Sequence, residues 1–440
     1  MNDDRLPILL VVLDGLGDRP SEILDNRTPS EAAQTPILDE LTTRGASGVH
    51  VPFGPGRATS SETAHWSLFG FESIAFPGRA AIEALGVGLQ PPAGVPMFHL
   101  ALRSGDLRDG AVFLGARARP GEDDEAAAEL FASIANRSLG GIGFELLPLR
   151  TGECVLVAHG AASRDVSDSD ALFDHIHPWM RPVALHDAND QHLAQSFATT
   201  LQQWLLESRR ILIEHPVNQQ RRDEGRPVLD VPVTKWASFI EPTMPSFVEH
   251  VGLRGGAVTD TALYRGLARI LDMTFTDLVY DAASPAADMA RRLASAAELL
   301  NEVDFVHVHI KATDEAGHSK RPDFKRDVIS AVDEGLEELL TLSAKAIVAV
   351  TGDHATPSTG SLLHSGDPTP FIITGPGVAP DETRLFGERH ALKGTCGRLA
   401  ASDMMPFLAG AANRPFFKGH RPGAAITIAL PNDPEPMPPS

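Results

Sequence analysis

Four short apolar segments, each ending in polar or glycine-rich residues, constrain the fold of this 440-residue chain more than any other feature. The segments are rich in valine and isoleucine, and they read PILLVVLDG at 7–15, FVHVHIKATD at 305–314, AIVAVTGDH at 346–354 and PFIITGPG at 370–377. Segments of this length and composition are typical of central parallel strands that are covered on both faces. The sequence therefore predicts one buried, mostly parallel sheet.

Amphipathic helices are predicted between these strands. The segment at 324–345 separates the second strand from the third, and its apolar residues fall on one helical stripe, formed by Val328, Ile329, Val332, Leu336, Leu339 and Leu340. A second amphipathic segment, at 288–303, leads into the second strand. Because strand, helix and strand in this order imply crossover connections, we predict an α/β protein with a doubly wound, mostly parallel sheet.

The middle of the chain follows a different pattern. It contains the acidic stretch GEDDEAAAEL, the helix-like HLAQSFATTLQQWLLESRR and several short strand-like segments, without a regular alternation of strands and helices. We interpret residues 101–270 as an inserted α+β cap domain that binds the substrate, within a core domain formed by 1–100 and 271–430. The proline-rich end, 431–440, is predicted to be disordered.

Charge and composition exclude several classes of partner. The chain carries 58 acidic and 38 basic residues, a formal net charge of -20, so a polyanion such as nucleic acid would be repelled over most of the surface. No stretch approaches the roughly eighteen uninterrupted apolar residues of a membrane span. The two cysteines, Cys154 and Cys396, are too few for a disulfide framework. We expect a cytoplasmic protein that binds neither nucleic acid nor membrane, and a homo-oligomer is left open.

Polar residues at the ends of the predicted strands are the first candidates for function, because open α/β sheets bind ligands at the carboxyl ends of their strands. Three carboxylates and three imidazoles lie at or just after these ends, namely Asp14, Asp314, His318, Asp353, His354 and His364. Mixed aspartate and histidine sets favour Zn or Mn over Mg. Six such ligands are too many for one tetrahedral ion, and they suit two ions that share a cleft.

A nucleophile is expected in the segment GPGRATSSETAHWSLFG at 54–70. Ser61 is the candidate, because a hydroxyl at the start of a helix lies near unpaired backbone amides. Ser60 and Thr59 stay open as alternatives, and helix capping is a structural explanation for all three. His307 and His309 alternate onto one face of the second strand and are expected to be structural or to support a ligand from behind.

These residues resemble the archaeal-type branch of the cofactor-independent phosphoglycerate mutases, within the alkaline-phosphatase superfamily. The motifs that carry the resemblance include VVLDGLGDRP, SSETAHWSLFGF, HVHIKATDEAGH and TGDHATPSTGSLLHSGDPTPF. The resemblance implies an alkaline-phosphatase-like core and two divalent metal ions, Mn or Zn. It places Asp14, Ser61, Asp353 and His354 on one ion and Asp314, His318 and His364 on the other. It also implies that Ser61 is transiently phosphorylated.

Departures from this family are concentrated in the predicted cap. The family's Arg-Cys-Asn-Phe, Asp-Arg-Arg-Ala-Gly-Arg, His-Arg and Arg-Gly-Ala-Gly motifs are replaced here by FHLALRS at 98–104, LGARARP at 114–120, Glu153 with Cys154, and TKWAS at 234–238. A guanidinium binds a carboxylate or phosphate through two hydrogen bonds, so the loss of these arginines affects which substrate the cap can bind. The remaining candidates for substrate binding are Arg117, Arg119, Arg221 and Lys235, and a solvated surface charge is the structural alternative for each.

The resemblance implies an isomerase that interconverts 3-phosphoglycerate and 2-phosphoglycerate through a phosphoserine. The altered cap motifs keep open an alternative, a phosphohydrolase or phosphotransferase that acts on a different phosphorylated or phosphonate metabolite. A binding protein built on a decayed enzyme core is a third hypothesis, and the complete set of candidate ligands argues against it.

Overall fold

The structure is a computed structural model that describes residues 4–170, 177–416, 419 and 436–439. The chain divides into two compact units, which are described separately. Unit 1 consists of Met1–Phe76, Pro245–Tyr264 and Ala268–Ser440, and unit 2 consists of Pro77–Met244 and Arg265–Leu267.

The secondary structure of the described residues alternates strands and helices in unit 1 and is richer in consecutive strands in unit 2. The strands are β1 Ile8–Leu13, β2 Ala46–His50, β3 Met97–Arg108, β4 Ala111–Arg117, β5 Arg137–Leu139, β6 Ile142–Arg150, β7 Glu153–His159, β8 Val231–Ser238, β9 Gly255–Thr259, β10 Thr274–Asp277, β11 Phe305–Ile310, β12 Ile347–Thr351, β13 Thr369–Thr374 and β14 Gly397–Leu399. The helices are α1 Pro29–Ala32, α2 Pro36–Arg44, α3 Ser61–Leu68, α4 Arg79–Gly86, α5 Asp124–Ile134, α6 Gln191–Glu214, α7 Pro216–Asp223, α8 Phe247–Val251, α9 Ala262–Ile270, α10 Pro285–Leu299, α11 Ala312–His318, α12 Pro322–Glu334, α13 Glu338–Leu342, α14 Glu388–Ala391 and α15 Ala401–Ala411, and Glu22–Leu24 forms a 3-10 turn.

Unit 1 is built on an eight-stranded sheet in the order β10-β9-β11-β1-β12-β13-β2-β14. Strand β1 is fully buried, and it pairs in parallel with β11 on one side and with β12 on the other. The predicted α/β class with a mostly parallel sheet is therefore confirmed. One strand differs from the prediction, because β13 runs antiparallel to both β12 and β2. A buried apolar segment has the same composition in either direction, so its sequence does not reveal its orientation.

The helical stripe predicted at 324–345 packs against this sheet, but it is divided between two helices. Helix α12 ends at Glu334 and α13 begins at Glu338. Gly335 lies between them, where an added Cβ would overlap the backbone carbonyl oxygen of Ala286. The close approach of α10 thus requires a glycine at this position, and glycine favours the end of a helix.

Unit 2 contains a six-stranded sheet in the order β4-β3-β7-β6-β5, with β8 paired to β3. All of its pairs are antiparallel, and α5 and α6 pack with it around an aromatic core that includes Phe98, Phe144, Phe197 and Trp204. An antiparallel sheet with helices collected beside it is an α+β arrangement. The prediction of an α+β unit inside the α/β core therefore matches the observed elements.

The predicted domain bounds of 101–270 need correction at both ends. At the first end, α4 and the start of β3 belong to unit 2, where the amide of Ala81 donates to Ser238 Oγ. At the second end, β9 belongs to the large sheet, because it pairs in parallel with β11 and β10. Most of the predicted disordered tail, 431–440, lies outside the described residues. None of the described helices combines the length and apolar character that crossing a membrane requires.

Candidate metal centre

Loops at the carboxyl ends of three neighbouring strands of unit 1 carry most of the candidate ligands. Asp14 directly follows β1, and Asp353 lies two residues beyond the end of β12. Asp314 and His318 lie four residues apart on α11, so they project from the same face of that helix. The topology therefore explains how residues far apart in the sequence come together, because β11, β1 and β12 are adjacent and parallel.

The first group of potential ligands consists of Asp14, Asp353 and His354. One ligand atom from each lies within 4.8 Å of the others. His354 Nε2 is 3.3 Å from Asp14 Oδ1 and 3.4 Å from Asp353 Oδ2. All three side chains are buried, so this is an enclosed arrangement of two carboxylates and one imidazole.

The second group consists of Asp314, His354 and His364, whose ligand atoms also lie within 4.8 Å of one another. His364 Nε2 is 3.7 Å from Asp314 Oδ1, and His318 Nε2 is 3.2 Å from the same oxygen. The rings of His354 and His364 stack with their centroids 3.9 Å apart. Because His354 belongs to both groups, the two groups adjoin.

Ser61 is the first residue of α3, and its hydroxyl reaches the first group. Its Oγ lies 3.0 Å from His354 Nε2 and donates to Asp14 Oδ1 over 3.4 Å. The two alternative nucleophiles make other contacts, since Ser60 Oγ hydrogen-bonds Thr63 Oγ1 and Thr59 Oγ1 donates to the carbonyl of Ser60. The geometry thus brings Ser61 together with six other residues that the sequence singled out.

The charges in this centre are unevenly balanced. Burial and the negative charge of Asp14 raise the pKa of Asp353 to about 6. Burial also raises the pKa of Asp14, but the Lys311 ammonium and hydrogen bonds from His309 and His354 outweigh burial and hold that pKa well below its usual range. Neighbouring carboxylates therefore compete for the same positive charge, and a divalent cation would relieve their repulsion.

The donor set fits divalent cations. Asp353 Oδ1 accepts hydrogen bonds from the amides of Gly15 and His354, whereas Asp353 Oδ2 is buried and accepts none from the described residues. A buried carboxylate oxygen without a hydrogen-bond donor is costly unless a cation contacts it. Carboxylate oxygens and imidazole nitrogens together are the ligands that Zn and Mn take in proteins.

Two further residues contact the ligands of this centre. One of them was not predicted, and the other was expected only to support a ligand. Lys311 Nζ lies 3.1 Å from Asp314 Oδ2 and 3.5 Å from Asp14 Oδ2, and the prediction missed it. Its position three residues before Asp314, at the end of a strand, was the available signal. His309 Nε2 lies 3.0 Å from Asp14 Oδ2, which agrees with the expected support of a ligand from behind.

A buried lysine on α12 ties together the loops that carry the ligands. Lys325 is fully buried, and its Nζ donates to the carbonyls of Gly15, Gly17 and Thr356 over 2.8, 3.1 and 2.9 Å. The same ammonium lies 3.1 Å from Asp18 Oδ2. Gly15 follows Asp14, and Thr356 lies two residues after His354. Lys325 therefore fixes both loops to one helix.

Replacing Lys325 with methionine is expected to destabilise the protein by about 3 kcal/mol, because the buried carboxylate of Asp18 loses its counter-charge. Urea unfolding followed by circular dichroism measures the loss. Lys345→Met, at an exposed position of unit 1, is the matched control and should change stability by less than about 0.5 kcal/mol. Equal midpoints for the two variants would show that Lys325 does not brace these loops.

The four candidates for substrate binding lie in unit 2 in different environments. Arg117 is exposed at the end of β4, and Arg119 is exposed and pairs with Glu122. Arg221 is buried against Asp123, with Nη1 2.5 Å from Asp123 Oδ1. Lys235 is buried on β8. A role of these four in substrate binding stays a prediction.

Known proteins resemble this chain over most of its length. The sequence profile of the Metalloenzyme superfamily matches residues 6–411. A 2,3-bisphosphoglycerate-independent phosphoglycerate mutase of Pyrococcus horikoshii is 33% identical over 415 residues, which cover 92% of this chain and 97% of the relative. The corresponding protein of Thermoplasma volcanium is 34% identical over 424 residues, with 93% and 98% covered.

Solved structures agree with the sequence relatives. A protein of Pyrococcus horikoshii superposes with a TM-score of 0.73 at 30% identity, covering 93% of this chain and 98% of that chain. The cofactor-independent phosphoglycerate mutase of Thermoplasma acidophilum superposes with a TM-score of 0.63 at 30% identity, covering 92% and 100%. With this coverage and the geometry above, the chain belongs to the metalloenzyme superfamily and, within it, to the family of 2,3-bisphosphoglycerate-independent phosphoglycerate mutases.

Proposed function

We propose that this protein interconverts 3-phosphoglycerate and 2-phosphoglycerate by moving the phosphoryl group through Ser61. The observation that carries the proposal is the position of Ser61 Oγ, 3.0 Å from His354 Nε2 and 3.4 Å from Asp14 Oδ1, at the edge of two adjoining groups of potential metal ligands. Membership of a family whose relatives carry the name of this reaction supports it.

Seven residues would hold two divalent ions, Mn or Zn. Asp14, Ser61, Asp353 and His354 are assigned to one ion. Asp314, His318 and His364 are assigned to the other. When bound, such ions neutralise charge on the phosphoryl oxygens and lower the pKa of a neighbouring hydroxyl. Because His354 Nε2 faces the ligand group, we assign this nitrogen to metal binding rather than to proton transfer from Ser61.

The proposed reaction consists of two balanced transfers of the phosphoryl group, both through Ser61. In the first, Ser61 Oγ loses its proton and bonds to phosphorus, while the bond from phosphorus to the glycerate oxygen breaks and that oxygen takes up a proton. In the second, the other hydroxyl of the same glycerate loses its proton and attacks phosphorus, and the bond to Ser61 Oγ breaks and Ser61 regains a proton. Retention of the glycerate between the two transfers, and exclusion of water, distinguish a mutase from a hydrolase.

One incubation tests the proposal. Metal-loaded protein is mixed with 3-phosphoglycerate, and 2-phosphoglycerate and free phosphate are both measured over time. We expect 2-phosphoglycerate to appear until the two isomers reach equilibrium, with little free phosphate, because glycerate rather than water receives the phosphoryl group. Free phosphate without the isomer, or neither product, would reject the mutase assignment.

A phosphohydrolase or phosphotransferase for another phosphorylated or phosphonate metabolite is the second candidate. The observation that favours it is the loss of four expected motifs in unit 2, at 98–104, 114–120, 153–154 and 234–238. It would keep Ser61 and the ligand groups unchanged, so the same incubation separates it from the mutase. A cytoplasmic location, a homo-oligomeric state and the choice between Mn and Zn stay predictions.

A further inference from the structure

Thr356 is a fully buried threonine of unit 1 whose hydroxyl lies between the two groups of potential metal ligands. Its Oγ1 donates to Asp314 Oδ1 over 2.7 Å and lies 3.3 Å from His354 Nδ1. The proposed centre assigns Asp314 to one ion and His354 to the other. One hydroxyl therefore contacts a ligand of each ion without being assigned to either ion itself.

The number of available protons fixes the direction of these hydrogen bonds. Asp314 pairs with the ammonium of Lys311 at 3.1 Å, so its carboxylate is ionised and only accepts hydrogen bonds. A hydroxyl carries one proton, and Thr356 donates that proton to Asp314. The contact with His354 must then run the other way, from the Nδ1–H of the imidazole to Oγ1 of Thr356.

This direction determines which nitrogen of His354 is available to an ion. With a proton on Nδ1, the neutral imidazole has its free electron pair on Nε2. Nε2 is the nitrogen that lies 3.3 Å from Asp14 Oδ1 and 3.4 Å from Asp353 Oδ2, in the first group of ligands. The hydroxyl of Thr356 thus stabilises the tautomer of His354 that can bind a cation there.

The surroundings of Thr356 leave its side chain little freedom to rotate. An added Cβ at Gly15 would overlap Oγ1 of Thr356, and an added Cβ at Gly317 would lie 2.8 Å from its Cγ2. One glycine therefore lets the backbone approach the hydroxyl, and the other lets it approach the methyl group. Because threonine is also stiff at χ1, the hydroxyl is directed at Asp314 and His354 before any ion binds.

The backbone of Thr356 is held in place independently of its hydroxyl. Its amide donates to the carbonyls of Gly15 and Gly17 over 3.3 and 3.0 Å, and its carbonyl accepts from Lys325 Nζ over 2.9 Å. These hydrogen bonds involve no side-chain atom of Thr356, so a substitution that removes the hydroxyl keeps them. The role of the hydroxyl can therefore be measured separately from the role of the loop.

We propose that Thr356 is a positioning residue for both ions, because its one hydroxyl sets the tautomer of His354 and orients the carboxylate of Asp314. The inference rests on the proposed function, which assigns these two ligands to different ions. A hydrogen-bonding partner behind a metal ligand typically contributes about tenfold to a hundredfold to metal affinity. Because this hydroxyl supports a ligand of each ion, its removal should weaken the binding of both ions.

Calorimetric titration of metal-free protein with Mn tests the inference. Thr356→Val replaces the hydroxyl with a methyl group, and it should raise the Kd of each of the two ions about tenfold to a hundredfold. The variant leaves the Nδ1–H of His354 without its acceptor in a buried position, which disfavours the tautomer that binds the ion. Thr356→Ser retains the hydroxyl and loses only the restriction at χ1, so both Kd values should stay within about threefold of the wild type.

Thr42 provides a matched control on α2, a helix that carries no candidate ligand. It is a fully buried threonine of the same unit, and its hydroxyl donates to the carbonyl of Leu38 over 2.7 Å. Thr42→Val makes the same chemical change there, so both Kd values for Mn should stay unchanged. Thr356→Ala removes the hydroxyl without placing a methyl group against Gly15, and it should also raise both Kd values. The alanine variant decides the question if Thr356→Val does not fold.

Several results would overturn the inference. Unchanged Kd values in Thr356→Val, or a rise confined to one ion, would show that the hydroxyl does not serve both ions. A similar rise of both Kd values in Thr42→Val would show a general effect of removing a buried hydroxyl. Binding of fewer than two ions by the wild type would overturn the inference as well.

The inference and the proposed function fail in different ways. Mn binding is measured without substrate, so it does not depend on which reaction the ions support. If wild-type protein forms 2-phosphoglycerate while Thr356→Val binds both ions with wild-type affinity, only the inference is wrong. If wild-type protein binds two ions but releases phosphate without forming the isomer, the proposed function is wrong, and the Kd values still decide the inference.

Discussion

Replacing Ser61 with alanine is expected to lower kcat for phosphoryl transfer by at least about a thousandfold, because the oxygen that accepts the phosphoryl group is removed. The substitution removes a single hydroxyl group from the first residue of α3, so the fold should be retained. Stopped assays of 2-phosphoglycerate formation measure the loss, and circular dichroism with thermal unfolding checks the fold. Incubation with 32P-labelled substrate should label the wild type at Ser61 and leave the variant unlabelled.

The adjacent serine provides a matched control for this change. Ser60 has the same side chain one residue earlier, and its Oγ hydrogen-bonds Thr63 Oγ1. Ser60→Ala should therefore keep kcat within about threefold of the wild type, because it removes one local hydrogen bond. An active Ser61→Ala variant, or a loss of activity confined to Ser60→Ala, would reassign the nucleophile.

Removing divalent ions with a chelator is expected to abolish activity, and added Mn or Zn should restore it. The buried carboxylates of Asp14, Asp314 and Asp353 repel one another without a cation. Metal binding should also stabilise the folded state, by about 2.7 kcal/mol when the free ion is at a hundred times its Kd. Differential scanning calorimetry with and without Mn measures this shift in Tm. If neither the activity nor the Tm changes when the chelator is added, the metal assignment is rejected.

Asp353→Asn sharpens this prediction, because it removes one of the competing charges and keeps the side-chain shape. In metal-free protein the variant should have a Tm at least as high as the wild type, since burial and the charge of Asp14 already raise the pKa of Asp353 to about 6. Added Mn should raise the Tm of the variant less than that of the wild type, because one ligand is lost. A variant that is less stable without metal and equally stabilised by it would contradict the assignment of Asp353.

The centre of the fold was predictable because its strands are continuous apolar segments that end at acidic residues. Strands β1, β11 and β12 could be predicted from their local sequence alone. Their neighbouring positions in the sheet bring Asp14, Asp314 and Asp353 to one edge. Strand β9 was missed, because its sequence GGAVT has little apolar content. An added Cβ at Gly255 would lie 2.8 Å from Phe247 Cδ1 and 2.9 Å from Met273 Cγ. Tertiary packing therefore leaves room only for glycine here, although glycine is unfavourable inside a strand.

The environments of the buried lysines were harder to predict than those of the aspartates in the metal centre. Fully buried lysines are rare, and the partners of Lys325 are backbone carbonyls in two distant loops, which leave no pattern in the sequence. Lys235 was a candidate because it replaces an expected motif, but its burial and the positive φ of the neighbouring Trp236 became visible only in the structure. Arg119 and Arg221 have acidic partners in unit 2, and their proposed role in substrate binding stays a prediction.

The contacts of Lys325 also bear on how the centre comes apart. The loop after β1 and the loop after β12 share one ammonium, and the amide of Thr356 also donates to the carbonyls of Gly15 and Gly17, so neither loop can open without breaking hydrogen bonds to the other. Segments that are linked in this way open and close as one cooperative unit. We therefore expect the ligands that these two loops carry to lose their positions together, in a single local unfolding event.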